Sequence, residues 1–171
     1  MRQRMTRKPT KILENETLAE RKVRLALSSR GKTAETKVQD IFSMWMKEDL
    51  QFDFDRLLDS KAAGKIVAAQ VSDFLLFYKG VSATIEVKEM KKGVRLPKKS
   101  FPQHPRMVRR SHTGCQGYLI AHTVDTGLWW VATVDNMELG ATSWVLPEVG
   151  SSFATAKLAL IAVTTHMLDN K

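Results

Sequence analysis

The segment SDFLLFYKGVSATIEVKEM, residues 72–90, most constrains the fold because it reads as two strands joined by a very short turn. Apolar, β-branched and aromatic residues fill both halves, which is typical of paired strands. The loop Lys79-Gly80 ends in a glycine, which favours a two-residue hairpin. Counting back from this loop puts Asp73 opposite Glu86. A four-residue loop gives the same register, whereas an odd loop length places Glu86 on the opposite face from Asp73.

In the even register, two carboxylates face each other across the hairpin. Their Cβ atoms should lie roughly 4.5–5.5 Å apart, and like charges so placed destabilise a sheet. Protonation of one acid, or a cation between Asp73 and Glu86, would relieve the repulsion, and a divalent cation with oxygen ligands is the economical solution. Strand alternation puts Lys88 on the face of Glu86, and Ile85 and Val87 on the apolar side. The alternative is an edge hairpin with solvated charges and a simple Lys–Glu pair.

An acidic pocket beside an ammonium group suits metal-assisted hydrolysis of a phosphodiester. Mg²⁺ would polarise the phosphoryl oxygen and lower the pKa of a bound water. The ammonium of Lys88 would orient that water or stabilise the charge that develops at phosphorus.

A helix is predicted from the N-cap Thr33 to about Asp49. Its apolar stripe, at helical spacing, consists of Val38, Ile41, Phe42, Trp45 and Met46. On this helix Glu35 lies close in angle to Phe42 and Met46, so its carboxylate faces the core side. The alternative for Glu35 is a first-turn acid that is favoured only by the helix dipole.

The remaining pattern predicts an α/β fold: a single domain with a central mixed β-sheet flanked by helices. Short strands are expected at 52–58, 65–71, 73–78, 83–88, 117–123, 128–134 and 144–147, and helices at 17–27 and 104–113. A final helix is expected from a cap at Ser151 or Ser152 to about Leu168, with packing by Phe153, Leu158, Leu160, Ile161 and Val163. Of the pair Trp129-Trp130, one ring is expected in the core and the other at an interface. Residues 1–12 read as a basic flexible arm, and 13–171 as the domain.

The charge of the chain indicates a polyanionic partner. The net charge is +9 and the pI is about 9.8, which favours nucleic acid. Between residues 90 and 110 an acid-free run reads as a phosphate-contacting loop carrying Lys91, Lys92, Arg95, Lys98, Lys99, Arg106, Arg109 and Arg110. The basic arm, with Arg4, Arg7 and Lys8, is expected to clamp a second duplex. A single cysteine fits a reducing compartment, and no stretch is long enough to span a bilayer.

These residues also resemble those of a known group of enzymes. Asp73 followed by Glu86-Val87-Lys88 across a hairpin is similar to the core of the PD-(D/E)XK nuclease superfamily, although Ser72 stands where that motif has proline. Segments 72–92 and 100–123 resemble the corresponding segments of RecU-type Holliday-junction resolvases, with Pro105 as a departure. Segment 31–42 matches the helix on which these enzymes, and phage-type junction endonucleases, carry an inward-facing glutamate. The resemblance covers roughly residues 31–135.

The resemblance implies a restriction-endonuclease-like core and a role for each site residue. Asp73 and Glu86 would ligate Mg²⁺, with Mn²⁺ as a substitute, and the Val87 carbonyl would complete the ligand set. Lys88 would be the catalytic lysine, and Glu35 a further ligand or water-holder. The implied protein is a homodimer that cuts four-way DNA junctions by paired nicks in recombination and repair. It would work in the cytoplasm of a bacterium or phage-infected cell, close to the nucleoid.

Two other functions stay open from the residues alone. The first is another nuclease of the same superfamily, which would cut flaps, nick, or act like a restriction enzyme. The second is a non-catalytic, basic nucleic-acid-binding protein whose carboxylates are structural.

Overall fold

The structure is a computed structural model that describes residues 34–57, 70–91, 95–146 and 152–171. Three helices are present in these ranges: α1 (34–48), α2 (His104–Ser111) and α3 (Ala156–Asp169). The strands are β1 (Phe52–Arg56), β2 (Phe74–Tyr78), β3 (Val81–Met90), β4 (Arg95–Pro97), β5 (Cys115–Thr123), β6 (Trp129–Thr133), β7 (Glu138–Leu139), β8 (Ser143–Val145) and β9 (Ser152–Phe153). Short 3₁₀ turns cover Lys98–Ser100 and Val134–Asn136.

Of the strands in the described ranges, six form a central mixed sheet in the order β1-β2-β3-β5-β6-β9. The pair β3–β5 is parallel, and the other neighbours are antiparallel. A parallel pair needs a crossover, and the segment between β3 and β5 that contains β4 and α2 provides it. The predicted α/β class, with a mixed sheet flanked by helices, is confirmed.

The predicted hairpin register is also confirmed. Tyr78 pairs with Val81, so the loop has two residues. Lys79 and Gly80 have φ angles of 48° and 81°, which is the left-handed pair that a type I′ turn requires. The ladder extends to Phe74 and Ile85. This turn therefore sets the register that brings Asp73 and Glu86 close to each other at the far end of the hairpin.

The central sheet has a hydrophobic core on each face. The first core contains Phe74, Ile85 and Val87 with helices α1 and α3. The second contains Met90 with α2 and the strands β4 and β8. Side chains alternate along a strand, so the even-numbered residues of β3 lie on the face of the second core.

The tryptophan prediction was wrong about the second ring because it assumed one core. Trp129 is buried in the first core, and Trp130 packs against the second.

In the predicted apolar stripe of α1, the side chain of Met46 is 41% exposed, whereas the other members of the stripe pack against the first core.

The start and the packing face of the last helix differ from the prediction. Ser152 belongs to β9, which pairs with β6. The helix is capped by Thr155, whose hydroxyl accepts a hydrogen bond from the Leu158 N–H at 3.2 Å. Leu158 and Ile161 are exposed, and the buried positions are Ala156, Ala159, Leu160, Val163 and Met167.

The basic segment was predicted as one loop, and this was wrong in part. Residues 95–97 form β4, which joins β8 and β7 in a second, three-stranded sheet that the sequence did not predict. These strands have two or three residues each, so they depend on tertiary pairing rather than on a local pattern. Gln70 and Val71, the described residues of the strand expected at 65–71, are not in a strand. The expected helix 17–27, the arm 1–12, Thr33 and Ser151 lie outside the described residues.

Candidate active site

Asp73, the residue just before β2, is fixed by three hydrogen bonds. Its N–H donates to the Ile85 carbonyl at 3.1 Å, and its carbonyl accepts from the Leu57 N–H at 2.9 Å. Its side-chain Oδ2 accepts from the Val87 N–H at 2.8 Å. Asp73 precedes the regular strand, so a carboxylate oxygen takes the place of a backbone acceptor at this point of the ladder. The carboxyl group of Asp73 is thereby held against β3.

Glu86 and Lys88 lie on β3 beside Asp73, on the face of the second core. The side chain of Glu86 is fully buried, whereas that of Lys88 is 22% exposed. The Lys88 ammonium donates to Glu86 Oε1. Glu86 Oε2 is buried and has no hydrogen-bond partner among the described residues. A buried carboxylate oxygen without a hydrogen bond lowers the stability of the folded state, and such a group often marks a catalytic role or the site of an ion or water.

The electrostatics of this cluster disfavour two ionised carboxylates. Burial first, and the neighbouring Asp73 carboxylate second, raise the pKa of Glu86 to about 7, against the opposing charge of Lys88. Burial likewise raises the pKa of Asp73, although the Lys88 ammonium and the Val87 N–H oppose the rise. One proton, or one added cation, would relieve the repulsion between them.

Glu35 is held near this cluster by an arginine. Glu35 lies in the first turn of α1, and Arg56 at the end of β1 donates to its Oε1 at 2.5 Å. The same guanidinium donates to Gln39 Oε1 at 2.7 Å. The Glu35 carboxylate raises the pKa of Asp73, and Arg56 lowers it, so both act on the cluster electrostatically. In the described part of the chain, the hydrogen bond and ion pair of Glu35 are made with Arg56 and not with Asp73 or Glu86.

The cluster offers a cation two carboxylates rather than a complete cage. Among the described residues, no three His, Cys, Asp or Glu side chains are grouped as a preformed metal site. Mg²⁺ is usually held by one or two carboxylates, with waters and substrate phosphate oxygens completing its shell. The orphaned oxygen of Glu86 and the adjacent Asp73 therefore fit this ion without a third protein carboxylate.

The basic residues lie after the hairpin, and those described are largely at the surface. Six of them are exposed and one is half-buried: Lys91, Arg95, Lys98, Lys99, Arg106, Arg109 and, half-buried, Arg110. Lys92, Arg4, Arg7 and Lys8 lie outside the described residues. Helix α2 and strand β4 pack on the second core through Met107 and Leu96. The basic residues of β4 and α2, and the turn between them, thus belong to the same side of the sheet as Glu86 and Lys88.

The two histidines of this region have structural contacts. His104 is buried, its Nε2 lies 2.9 Å from the Val134 carbonyl, and its ring stacks on Trp144 at 3.8 Å. Burial lowers the pKa of His104. His112 Nε2 lies 3.8 Å from Asp135 Oδ1 at the surface. Neither histidine contacts the carboxylate cluster.

Sequence reasoning missed Arg56, which is the partner of Glu35. A signal existed, because Arg56 is a lone cation at the end of the strand that pairs with β2. It also missed Thr142 and Ser143, which join Arg95, Lys98 and Lys99 around a surface groove. Nothing in the sequence indicated that these two segments meet.

The fold and the cluster define an α/β protein with a carboxylate–lysine site at the end of a β-hairpin. Among solved structures, a Holliday junction resolvase from the archaeon Archaeoglobus fulgidus, Hjc, is similar, with a TM-score of 0.47 and 18% sequence identity. The match covers 72% of this chain and 96% of the resolvase chain. No protein-family model matches the chain, and no curated protein matches it in sequence. Within the described residues, no helix is long and apolar enough to cross a membrane.

Proposed function

We propose that the protein is a Mg²⁺-dependent, structure-selective DNA endonuclease of the PD-(D/E)XK kind. One observation carries this proposal: Asp73, Glu86 and Lys88 meet on one face of the hairpin, and the buried Glu86 Oε2 has no hydrogen-bond partner within the described part of the chain. A structural ion pair would not need a second buried acid next to it. A metal-dependent phosphodiesterase does use such a pair, because its cation is held by oxygen ligands beside the scissile phosphate.

Asp73 and Glu86 would hold the cation, and the Val87 carbonyl would add a third oxygen. Bound there, Mg²⁺ would supply Lewis-acid polarisation of the phosphate and a water of lowered pKa. Mn²⁺ takes the same oxygen ligands and is proposed as a substitute. The Val87 N–H fixes the Asp73 carboxylate by a bond of 2.8 Å, so this ligand is oriented before any cation arrives.

Lys88 and Glu35 would act around the reacting phosphate. The Lys88 ammonium now rests on Glu86, and its partial exposure leaves it accessible to an incoming phosphate. There it would hold the attacking water or stabilise the charge that develops on the phosphoryl oxygens. Glu35 would hold water or serve as an outer ligand once the DNA draws Arg56 towards its own phosphates.

The exposed cations on the same side of the sheet would hold the DNA backbone. Such contacts give affinity that depends strongly on salt and carries little sequence information. Lys92 and the arm residues Arg4, Arg7 and Lys8 are proposed to extend this surface. Contacts of this type recognise DNA shape, which suits a branched substrate.

A four-way junction is the substrate we favour, because segments 72–92 and 100–123 resemble RecU-type resolvases. Two symmetric nicks need two active sites, and a homodimer supplies them. A protein of this function would act on DNA in the cytoplasm, recombining or repairing it. If the protein cuts flaps or linear duplex instead, the proposed metal site still stands, but the proposed preference for junctions does not.

The test is cleavage of a labelled four-way junction beside matched linear duplex and flap DNA, with and without Mg²⁺. Paired symmetric nicks in the junction alone, dependent on the cation, are expected. Cleavage of the flap or the duplex instead would overturn the resolvase assignment. Binding without cleavage in Mg²⁺ and in Mn²⁺ would overturn the nuclease proposal and leave a DNA-binding module.

A further inference from the structure

We propose that the surface groove formed by residues 95–99 and 142–143, where β4 pairs with β8, binds the sugar–phosphate backbone of a nucleic acid at a position separate from the cleavage cluster. The groove has a volume of about 650 Å³ and is lined by Arg95, Pro97, Lys98, Lys99, Thr142 and Ser143. The inference rests on the proposed function for the identity of the polymer. It adds a second point of attachment, which the hairpin residues do not provide.

The groove is built on a short but anchored sheet. Pro97 pairs with Ser143, and the Lys98 N–H donates to the Thr142 carbonyl at 3.0 Å. In the next pair along these strands, Leu96 and Trp144 lie opposite each other and are 2% and 7% exposed. Because side chains alternate along a strand, burying these two residues turns their neighbours outward. The cations and hydroxyls of the groove therefore stand on a backbone that the second core fixes.

The chemistry of the lining fits phosphate. It combines one guanidinium, two ammonium groups and two hydroxyls, and none of the described lining residues is acidic. Arginine, lysine, serine and threonine are among the side chains that bond to phosphate oxygens in nucleic-acid complexes. Lys98 and Lys99 are both exposed, so their ammonium groups are available to an external polyanion.

The position of the groove suits a DNA strand whose backbone also reaches the cleavage cluster. Leu96 and Trp144 lie in the same hydrophobic core as Met90, the last residue of β3. Met90 shares its face with Glu86, four residues earlier, which is roughly 13 Å along an extended strand. A backbone bound at Glu86 would therefore reach the groove within several nucleotides.

Negative charge on β1, on the other side of the cluster, also favours a DNA path that runs from the cluster towards the groove. Beyond β2, the edge strand β1 carries Asp53 and Asp55, both exposed. Phe52 and Phe54 pack towards the first core, so alternation turns these two carboxylates to the face of the cluster. A polyanion is repelled there and attracted towards β4 and β8.

The test is binding of a labelled four-way junction to the full chain in metal-free buffer, measured over a series of salt concentrations. The variants are Arg95→Ala, Lys98→Ala, Lys99→Ala and the triple combination. The matched control is Lys157→Ala, which removes an exposed cation from α3, on the opposite face of the sheet. The slope of log K against log salt should fall by about 0.9 for each lost phosphate contact, and by about 2.7 in the triple variant. The control should keep the wild-type slope.

The outcomes separate this inference from the proposed function. Groove variants that bind with the wild-type affinity and slope, in a protein that still cuts DNA, would overturn the groove and leave the nuclease intact. A wild-type chain that neither binds nor cuts DNA would overturn both. Lys98→Arg keeps the charge and should retain the slope, which distinguishes a phosphate contact from damage to the fold. If Lys98→Arg loses as much of the salt dependence as Lys98→Ala does, the result would count against a phosphate contact in the groove.

Discussion

Replacement of Glu86 by glutamine tests whether this carboxylate is destabilised by burial. Glutamine keeps the size of the side chain and removes its ionisation. Burial and Asp73 raise the pKa of Glu86 from its ordinary value of 4.5 to about 7. Between these values the folded state binds the proton more tightly than the unfolded chain, so the free energy of unfolding must fall as pH rises.

The size of the effect follows from the two pKa values. Their separation corresponds to roughly 3 kcal/mol of stability that is present below about pH 4.5 and lost above about pH 7. The glutamine of Glu86→Gln does not titrate. As the pH rises from about 4.5 to about 7, the free energy of unfolding of this variant should therefore increase relative to that of the wild type by roughly that amount. Titrating groups that do not interact with Glu86, such as His104, cancel in the difference, whereas Asp73 and Lys88 interact with Glu86 and do not.

The assay is urea unfolding of both proteins in metal-free buffer at a series of pH values. Glu138→Gln, which replaces an exposed carboxylate in β7, is the matched control and should follow the wild type. A difference between Glu86→Gln and the wild type that does not change with pH would refute the claim that burial penalises the ionised carboxylate. Adding Mg²⁺ above about pH 7 should restore stability, by about 2.7 kcal/mol at a hundredfold excess over Kd, in the wild type but not in Glu86→Gln.

Three further changes probe the site and its support. Lys88→Met should reduce single-turnover cleavage by about 10²–10³-fold while junction binding persists, and normal cleavage would exclude a role in charge stabilisation. Arg56→Ala removes the partner of Glu35 and a charge that lowers the pKa of Asp73, so the acidic limb of the pH–rate profile should move to higher pH; an unmoved limb would contradict the coupling. Gly117→Ala would place a Cβ 2.5 Å from Val134 Cγ2 and should cost about 1–3 kcal/mol in thermal or urea unfolding, whereas an unchanged Tm would show that β5 relaxes freely.

The hairpin could be predicted because its determinants are local. A two-residue turn fixes the register, and strand alternation then sorts Glu86 and Lys88 from Val87. The helical angle of Glu35 also follows from sequence spacing, and the side chain is partly buried, 24% exposed. Its partner, Arg56, is 21 residues away, and only the packing of α1 on β1 brings the two together.

The second sheet could not be predicted, because its strands are too short to have a pattern. Leu96 and Trp144 meet across 48 residues of chain, and their burial decides which basic residues surround the groove. The packing face of α3 also escaped prediction. Apolar residues surround that helix, so sequence alone did not show that Leu158 and Ile161 point outward while Met167 is buried.

The central claim is that Asp73, Glu86 and Lys88 form a cation-dependent phosphodiesterase centre. The most direct measurement is single-turnover cleavage of a four-way junction by Glu86→Ala and by wild type, at saturating protein and in Mg²⁺, with binding measured in parallel. The account predicts that Glu86→Ala binds the junction at least as tightly as wild type and does not cut it. Cleavage by Glu86→Ala at the wild-type rate would contradict the account.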